Sequence, residues 1–96
     1  MLAIDTPSQF RKDLKRLQKR KYDLTELKAV MKMIQEEVDL PEEIYRAHKL
    51  RPTRDYLDCW ECHIGGRNSD WLLIYKFYPT KNLVVFIRTG THADLF

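Results

Sequence analysis

The sequence predicts an α+β fold in which an antiparallel sheet, running as a meander, is packed by an N-terminal helical hairpin in the order β-α-α-β-β-β. Three observations carry this. Residues 10 to 38 place apolar side chains at helical spacing, residues 56 to 88 fall into apolar runs of strand length, and the breaks between runs hold Gly, Pro and Asn. Ninety-six residues supply one core and leave no room for a second, so residues 1–96 are expected to form a single domain.

Leu2 to Ile4 reads as a short strand. Thr6 then takes the N-cap of a helix, with Pro7 at the first helical position and Gln9 completing a capping box. Phe10, Leu14 and Leu17 follow on one narrow stripe, about 60 degrees of the helical wheel. The remaining circumference belongs to Arg11, Lys12, Lys15, Arg16, Lys19 and Arg20. A second capping box is expected at Asp23 and Glu26, after which Leu24, Leu27, Val30, Met31, Ile34 and Val38 keep the helical period until Pro41. The short link between the two makes them an antiparallel hairpin. Tyr45 to Asp55 breaks into a basic loop with His48, Lys49, Arg51 and Arg54 around Pro52. Tyr56 to Ile64 is expected as one strand, followed by a loop from Gly65 to Ser69. Trp71 to Tyr78 is nearly continuously apolar, as suits a central strand covered on both faces, and Pro79 to Asn82 turns it into Leu83 to Arg88.

The net charge of +3 permits a nucleic-acid partner without demanding one. Its distribution is more telling. From Arg11 to Lys21 basic residues are opposed only by Asp13, whereas Glu36, Glu37, Asp39, Glu42 and Glu43 form an acidic stretch. The N-terminus lacks the pattern of a signal peptide, and no apolar run approaches the roughly 20 residues of a membrane span. A cytoplasmic protein with no membrane partner is expected. CWECH, ending at His63, matches the c-type haem attachment pattern. In a strand, however, residues three apart point to opposite faces, so the sulfurs of Cys59 and Cys62 should diverge. No metal site and no small-molecule cofactor is expected, and the two cysteines read as reduced.

The tail RTGTHADLF gathers a guanidinium, an imidazole and a terminal aromatic. Arg88 ends a strand, and a turn at Gly90 is expected to swing His92 back beside it. An arginine fork fits phosphate oxygens and histidine moves protons near neutrality, so the pair suits chemistry at a phosphodiester.

The pieces YRAHKL, ECHI, SDWLLIYK and RTGTHADLF, in that order behind a basic helical hairpin, resemble the RelE/ParE toxin superfamily of bacterial toxin–antitoxin systems, and within it the YafQ-like branch. The resemblance covers essentially the whole chain. It implies a RelE-like fold and a small cytoplasmic ribonuclease that cuts messenger RNA in the ribosomal A site until a cognate antitoxin binds it. It assigns function to His48, His63 and Asp70, and then to Arg88, His92 and Phe96. Trp71 reads as core. Metal-free cleavage needs a base for the ribose 2′-OH, a cation for the phosphorane and an acid for the departing 5′ oxygen. Arg88 is expected on the phosphate, His92 as the acid, and His48, ahead of His63 and Asp70, as the base. Phe96 offers a stacking surface for a base. The basic helix, together with Lys49 and Arg51, is expected to meet ribosomal RNA through its phosphates. Two other readings stay open: a gyrase poison on the same fold, and a basic nucleic-acid-binding module without catalysis.

Overall fold

In the computed structural model, which describes residues 1–96, a five-stranded sheet carries the helical hairpin on one face and the C-terminal tail on the other. Strand β1 (Ala3–Asp5) leads into helices α1 (Ser8–Lys19) and α2 (Thr25–Gln35) and a single turn, α3 (Glu42–Tyr45). Strands β2 (His48–Lys49), β3 (Trp60–His63), β4 (Trp71–Tyr78) and β5 (Leu83–Thr91) follow, and α4 (His92–Leu95) ends the chain. The sheet order is β1-β5-β4-β3-β2. The meander from β2 to β5 is antiparallel as expected, whereas β1 adds a parallel edge beside β5, pairing Ala3 with Leu83. Parallel pairing requires a long crossover, and everything between β1 and β5 supplies it.

Alternation along β4 separates two cores. Leu73 and Tyr75 face Phe10, Leu17, Leu27, Val30, Ile34 and Phe86, while Leu72 and Ile74 meet Tyr56, Cys59 and Leu95. Trp71 packs against the larger core, edge-on to Tyr22 with ring centroids 5.0 Å apart. Cys62 belongs to the larger core and Cys59 to the smaller, so the sulfurs do lie on opposite faces. Burial pushes the Cys62 thiol up to about 12, which leaves it unreactive. No helix is long and apolar enough to cross a membrane.

Several boundaries differ from the expectation, each for a local reason. Helix α1 begins at Ser8 with Pro7 at the cap and no side-chain capping bond; Gln9 instead donates to Asp13 at 3.2 Å, within the helix. Neither does Glu26 close a capping box: Asp23 accepts from the Thr25 amide at 2.9 Å, and α2 starts there. Helix α2 stops at Gln35 because Glu37 takes the left-handed conformation (φ 59°), which turns Val38 outward to half exposure. The segment from Tyr56 contributes only Trp60–His63 to the ladder, since Asp58 is also left-handed (φ 56°) and the Tyr56 hydroxyl is tied to the Leu95 carbonyl. Inside the predicted basic loop, His48 and Lys49 pair with Glu61 and Trp60 as an extra edge strand.

Candidate active site

The last strand does not turn at Gly90. Strand β5 runs on to Thr91, with Gly90 opposite Leu72 and Thr91 opposite Trp71. Three extended residues therefore separate Arg88 from His92, so the two are not folded against each other across a turn as expected. The glycine is needed for another reason. A Cβ there would sit 3.0 Å from Asp94 Oδ2 and 3.1 Å from Arg16 Nη2, where tail and helix close on the strand.

Helix α4 places His92 at its first position through a capping box between Thr91 and Asp94. His92 Nδ1 lies 2.5 Å from Asp70 Oδ1, and the His92 amide donates to the same oxygen at 3.3 Å. A carboxylate only accepts, so Nδ1 carries a proton, and Nε2 makes no hydrogen bond within the chain. The His92 hydrogen bond holds the Asp70 carboxyl below its ordinary range. His63 ends β3 and is buried, and its Nδ1 donates to the Ser69 carbonyl at 2.7 Å. Its ring centroid is 6.3 Å from that of His92. Phe96, 60% exposed, is 6.0 Å from His92 on one side and edge-on to Tyr56 at 5.4 Å on the other. The fold therefore gathers His63, Asp70, His92 and Phe96. No three His, Cys, Asp or Glu side chains converge closely enough to hold a metal ion.

His48 stands further along the same surface. It lines an open cleft of about 470 Å³ with Lys49, Arg51, Thr53, Tyr56 and Phe96. Its Nδ1 bonds the Arg46 carbonyl at 2.8 Å, and its Nε2 faces Glu61 Oε2 at 3.2 Å, so both ring nitrogens are engaged. Lys49 makes only a long contact to Asp58, at 3.7 Å, and Arg51 is exposed.

Arg88 is not the free fork the sequence suggested. Its Nε lies 2.7 Å from Asp13 Oδ2 and its Nη2 3.2 Å from Asp13 Oδ1. Those bonds raise its pKa further above the ordinary arginine value. Asp13, fully buried, also accepts from Gln9, from Arg16 at 3.1 Å and from the Thr89 amide at 3.1 Å. Sequence reasoning treated Asp13 as a lone countercharge and missed this hub. The signal was present: Asp13 lies three residues after Phe10 and four before Leu17, at the edge of the apolar stripe.

The basic face of α1 is also divided. Lys12, Lys15 and Lys19 are exposed, while Arg11 bonds the Thr6 carbonyl. Arg20 grips Asp94 with two bonds of 2.8 and 3.2 Å, and Arg16 approaches the same carboxylate at 3.8 Å. Asp94 is accordingly held far below the usual carboxylate range, chiefly by the Arg20 hydrogen bond.

Residues 2–96 match the family described as bacterial toxin of type II toxin-antitoxin system, YafQ. The chain belongs to this family. It is 41% identical over 95 residues to the mRNA interferase toxin YafQ of Escherichia coli (strain B / BL21-DE3), covering 97% of this chain and 94% of that protein. The fold is similar to that of YafQ in the E. coli DinJ-YafQ toxin-antitoxin complex, with a TM-score of 0.81 at 35% identity over 99% and 97% of the two chains. It is also similar to a metal-bound toxin from Helicobacter pylori, with a TM-score of 0.85 at 35% identity over 100% of both. The expected α+β, RelE-like architecture is thus the one these toxins share.

Proposed function

We propose that this chain is a cytoplasmic mRNA interferase, the toxin of a type II toxin–antitoxin system, which cleaves messenger RNA in the ribosomal A site and is silenced by a cognate antitoxin. The family and the E. coli relative named an mRNA interferase support the activity, and the solved complex of a similar toxin with DinJ supports the antitoxin partner. The geometry that carries the mechanism is the His92–Asp70 pair beside Phe96.

A base takes the proton of the ribose 2′-OH, the oxygen attacks the adjacent phosphorus, and the bond to the 5′ oxygen breaks. His92 serves as acid in its imidazolium form, with Nδ1–H held by Asp70 and the second proton on Nε2; Nε2 gives that proton to the leaving oxygen, and a 2′,3′-cyclic phosphate and a 5′ hydroxyl result. Asp70 orients the ring through Nδ1, the same division of labour that a carboxylate and an imidazole have in hydrolytic triads. For the base, His63 now stands ahead of His48. The Ser69 carbonyl fixes its proton on Nδ1 and leaves the Nε2 lone pair open, whereas both nitrogens of His48 are engaged and Asp70 is committed to His92. Arg88 supplies charge to the phosphorane, and Phe96, backed edge-on by the buried Tyr56, offers an exposed aromatic surface to a base in the cleft. Lys12, Lys15, Lys19, Lys49 and Arg51 meet ribosomal phosphate.

Primer extension on a message translated in a purified system tests this reading. Wild-type toxin should create discrete in-frame breaks only when ribosomes are present. His92→Gln should keep its melt, because the side chain is 55% exposed, yet lose about 10² to 10⁴ in cleavage rate, as expected for a missing acid. Equal cutting of naked RNA at the same positions would overturn the A-site mechanism. Uncut message with blocked supercoiling would point to gyrase.

A further inference from the structure

A buried carboxylate needs a reason. Asp13 sits on the buried face of α1 beside Phe10 and Leu17, where an apolar side chain would pack without any desolvation penalty. Replacing a buried ion pair with well-packed apolar groups is often neutral or stabilising, so stability alone does not account for the charge. What Asp13 does hold is Arg88. Its two oxygens take Nε at 2.7 Å and Nη2 at 3.2 Å, while Oδ2 also accepts from the amide of Thr89, the next residue, at 3.1 Å. Side chain and following backbone are thereby fixed by one group.

We propose that Asp13 is a positioning residue for RNA cleavage: it holds the Arg88 guanidinium by Nε and Nη2 and so turns the remaining donors of the guanidinium toward the scissile phosphate. The proposal rests on the reading of Arg88 as the phosphate-binding group. Three observations favour it over a purely architectural pair. The guanidinium is 22% exposed, so it is set by the interior but reachable from outside. It lies near Tyr56, whose phenol burial pushes up and the Arg88 charge partly pulls back, and Tyr56 lines the cleft with Phe96 and His48. Arg16 contributes a second cation to the same carboxylate at 3.1 Å, so two guanidiniums face one carboxylate and the cluster keeps a net positive charge for a phosphate. An arginine held in place before substrate arrives need not be ordered during the reaction, which is where preorganised charge acts.

The test is a double-mutant cycle of Asp13→Asn and Arg88→Gln, read by single-turnover cleavage on programmed ribosomes, half-saturation by ribosomes, and thermal melts. Asp13→Asn should lower the cleavage rate by about 10- to 100-fold, the scale of a misplaced reacting group, with half-saturation within about twofold because docking uses other cations. The double variant should be no slower than Arg88→Gln alone, since Asp13 would then have nothing left to position. If Arg88→Gln cleaves like wild type, the assignment of Arg88 itself falls. If Arg88→Gln is slow but Asp13→Asn cleaves like wild type, or the two losses simply multiply, the role of Asp13 falls and that of Arg88 stands. Should Asp13→Asn melt below the assay temperature, Asp13→Glu replaces it, keeping the buried charge but displacing it by one methylene. The same outcomes then decide.

Discussion

Truncating Arg88 strands a carboxylate that is fully buried. Breaking a buried ion pair from one side costs about 3–5 kcal/mol, and because Arg16 and Thr89 still serve Asp13 a smaller loss, about 2–3 kcal/mol, is expected. Arg88→Ala should therefore melt well below wild type, by about 10 °C or more at roughly 4–8 °C per kcal/mol for a domain of this size. Thermal and denaturant melts of the purified variant check it, and an unchanged midpoint would mean that the pair contributes nothing to stability. From the sequence the opposite looked natural, because Arg88 stood at a strand end where truncation removes little core. His92 and Asp70 were legible as site residues and do meet. That meeting depends on α4, whose local signal, Thr91 three residues before Asp94, was overlooked in the sequence.

Helix α1 joins two tasks that the sequence presented as one. Its exposed lysines are available to RNA, whereas Arg20 and Arg16 hold the tail through Asp94. Reversing Lys12, Lys15 and Lys19 to Glu should weaken ribosome association and flatten its salt dependence by about 0.7–0.9 in log–log slope per lost phosphate contact, leaving the melt unchanged. Arg20→Glu should instead loosen α4, detectable as faster amide exchange at His92 to Phe96 with ribosome association largely kept. If the triple lysine variant co-sediments normally at every salt concentration, the helix face is solvent-facing only. The tail clasp should also respond to acid. Because the folded pKa of Asp94 is depressed, its contribution is present above the ordinary carboxylate value near 4 and is lost as pH falls from there toward the folded value. Asp70 has the same sign. Tail amides should thus stay protected at pH 7 and lose protection ahead of the sheet below about pH 4, and protection that held uniformly down to global unfolding would contradict the clasp.

Across the whole molecule the larger core depends on a few side chains reaching between layers. Phe10 is fully buried and lies 6.0 Å from Phe86, joining the helical hairpin to β5. Phe10→Ala should cost about 3–5 kcal/mol, a large share of the roughly 5–15 kcal/mol such a domain retains, and a denaturant midpoint within error of wild type would refute the packing. Hydrophobic period alone made the helical hairpin, the central strand β4 and the order of the meander legible, because burial of one face is a local, repeating demand on sequence. The motif residues were legible one by one for a similar reason, since their chemistry travels with the side chain. Pairing partners were not. The parallel docking of β1 on β5, the edge strand at His48, the bulge that leaves Ile87 unpaired between Phe86 and Arg88, and the capture of Arg88 by Asp13 all join residues far apart in the chain. A sequence pattern records which face a residue prefers. Only the closed tertiary structure decides what it meets there, because a buried charge takes whichever partner the packing of distant segments brings within reach.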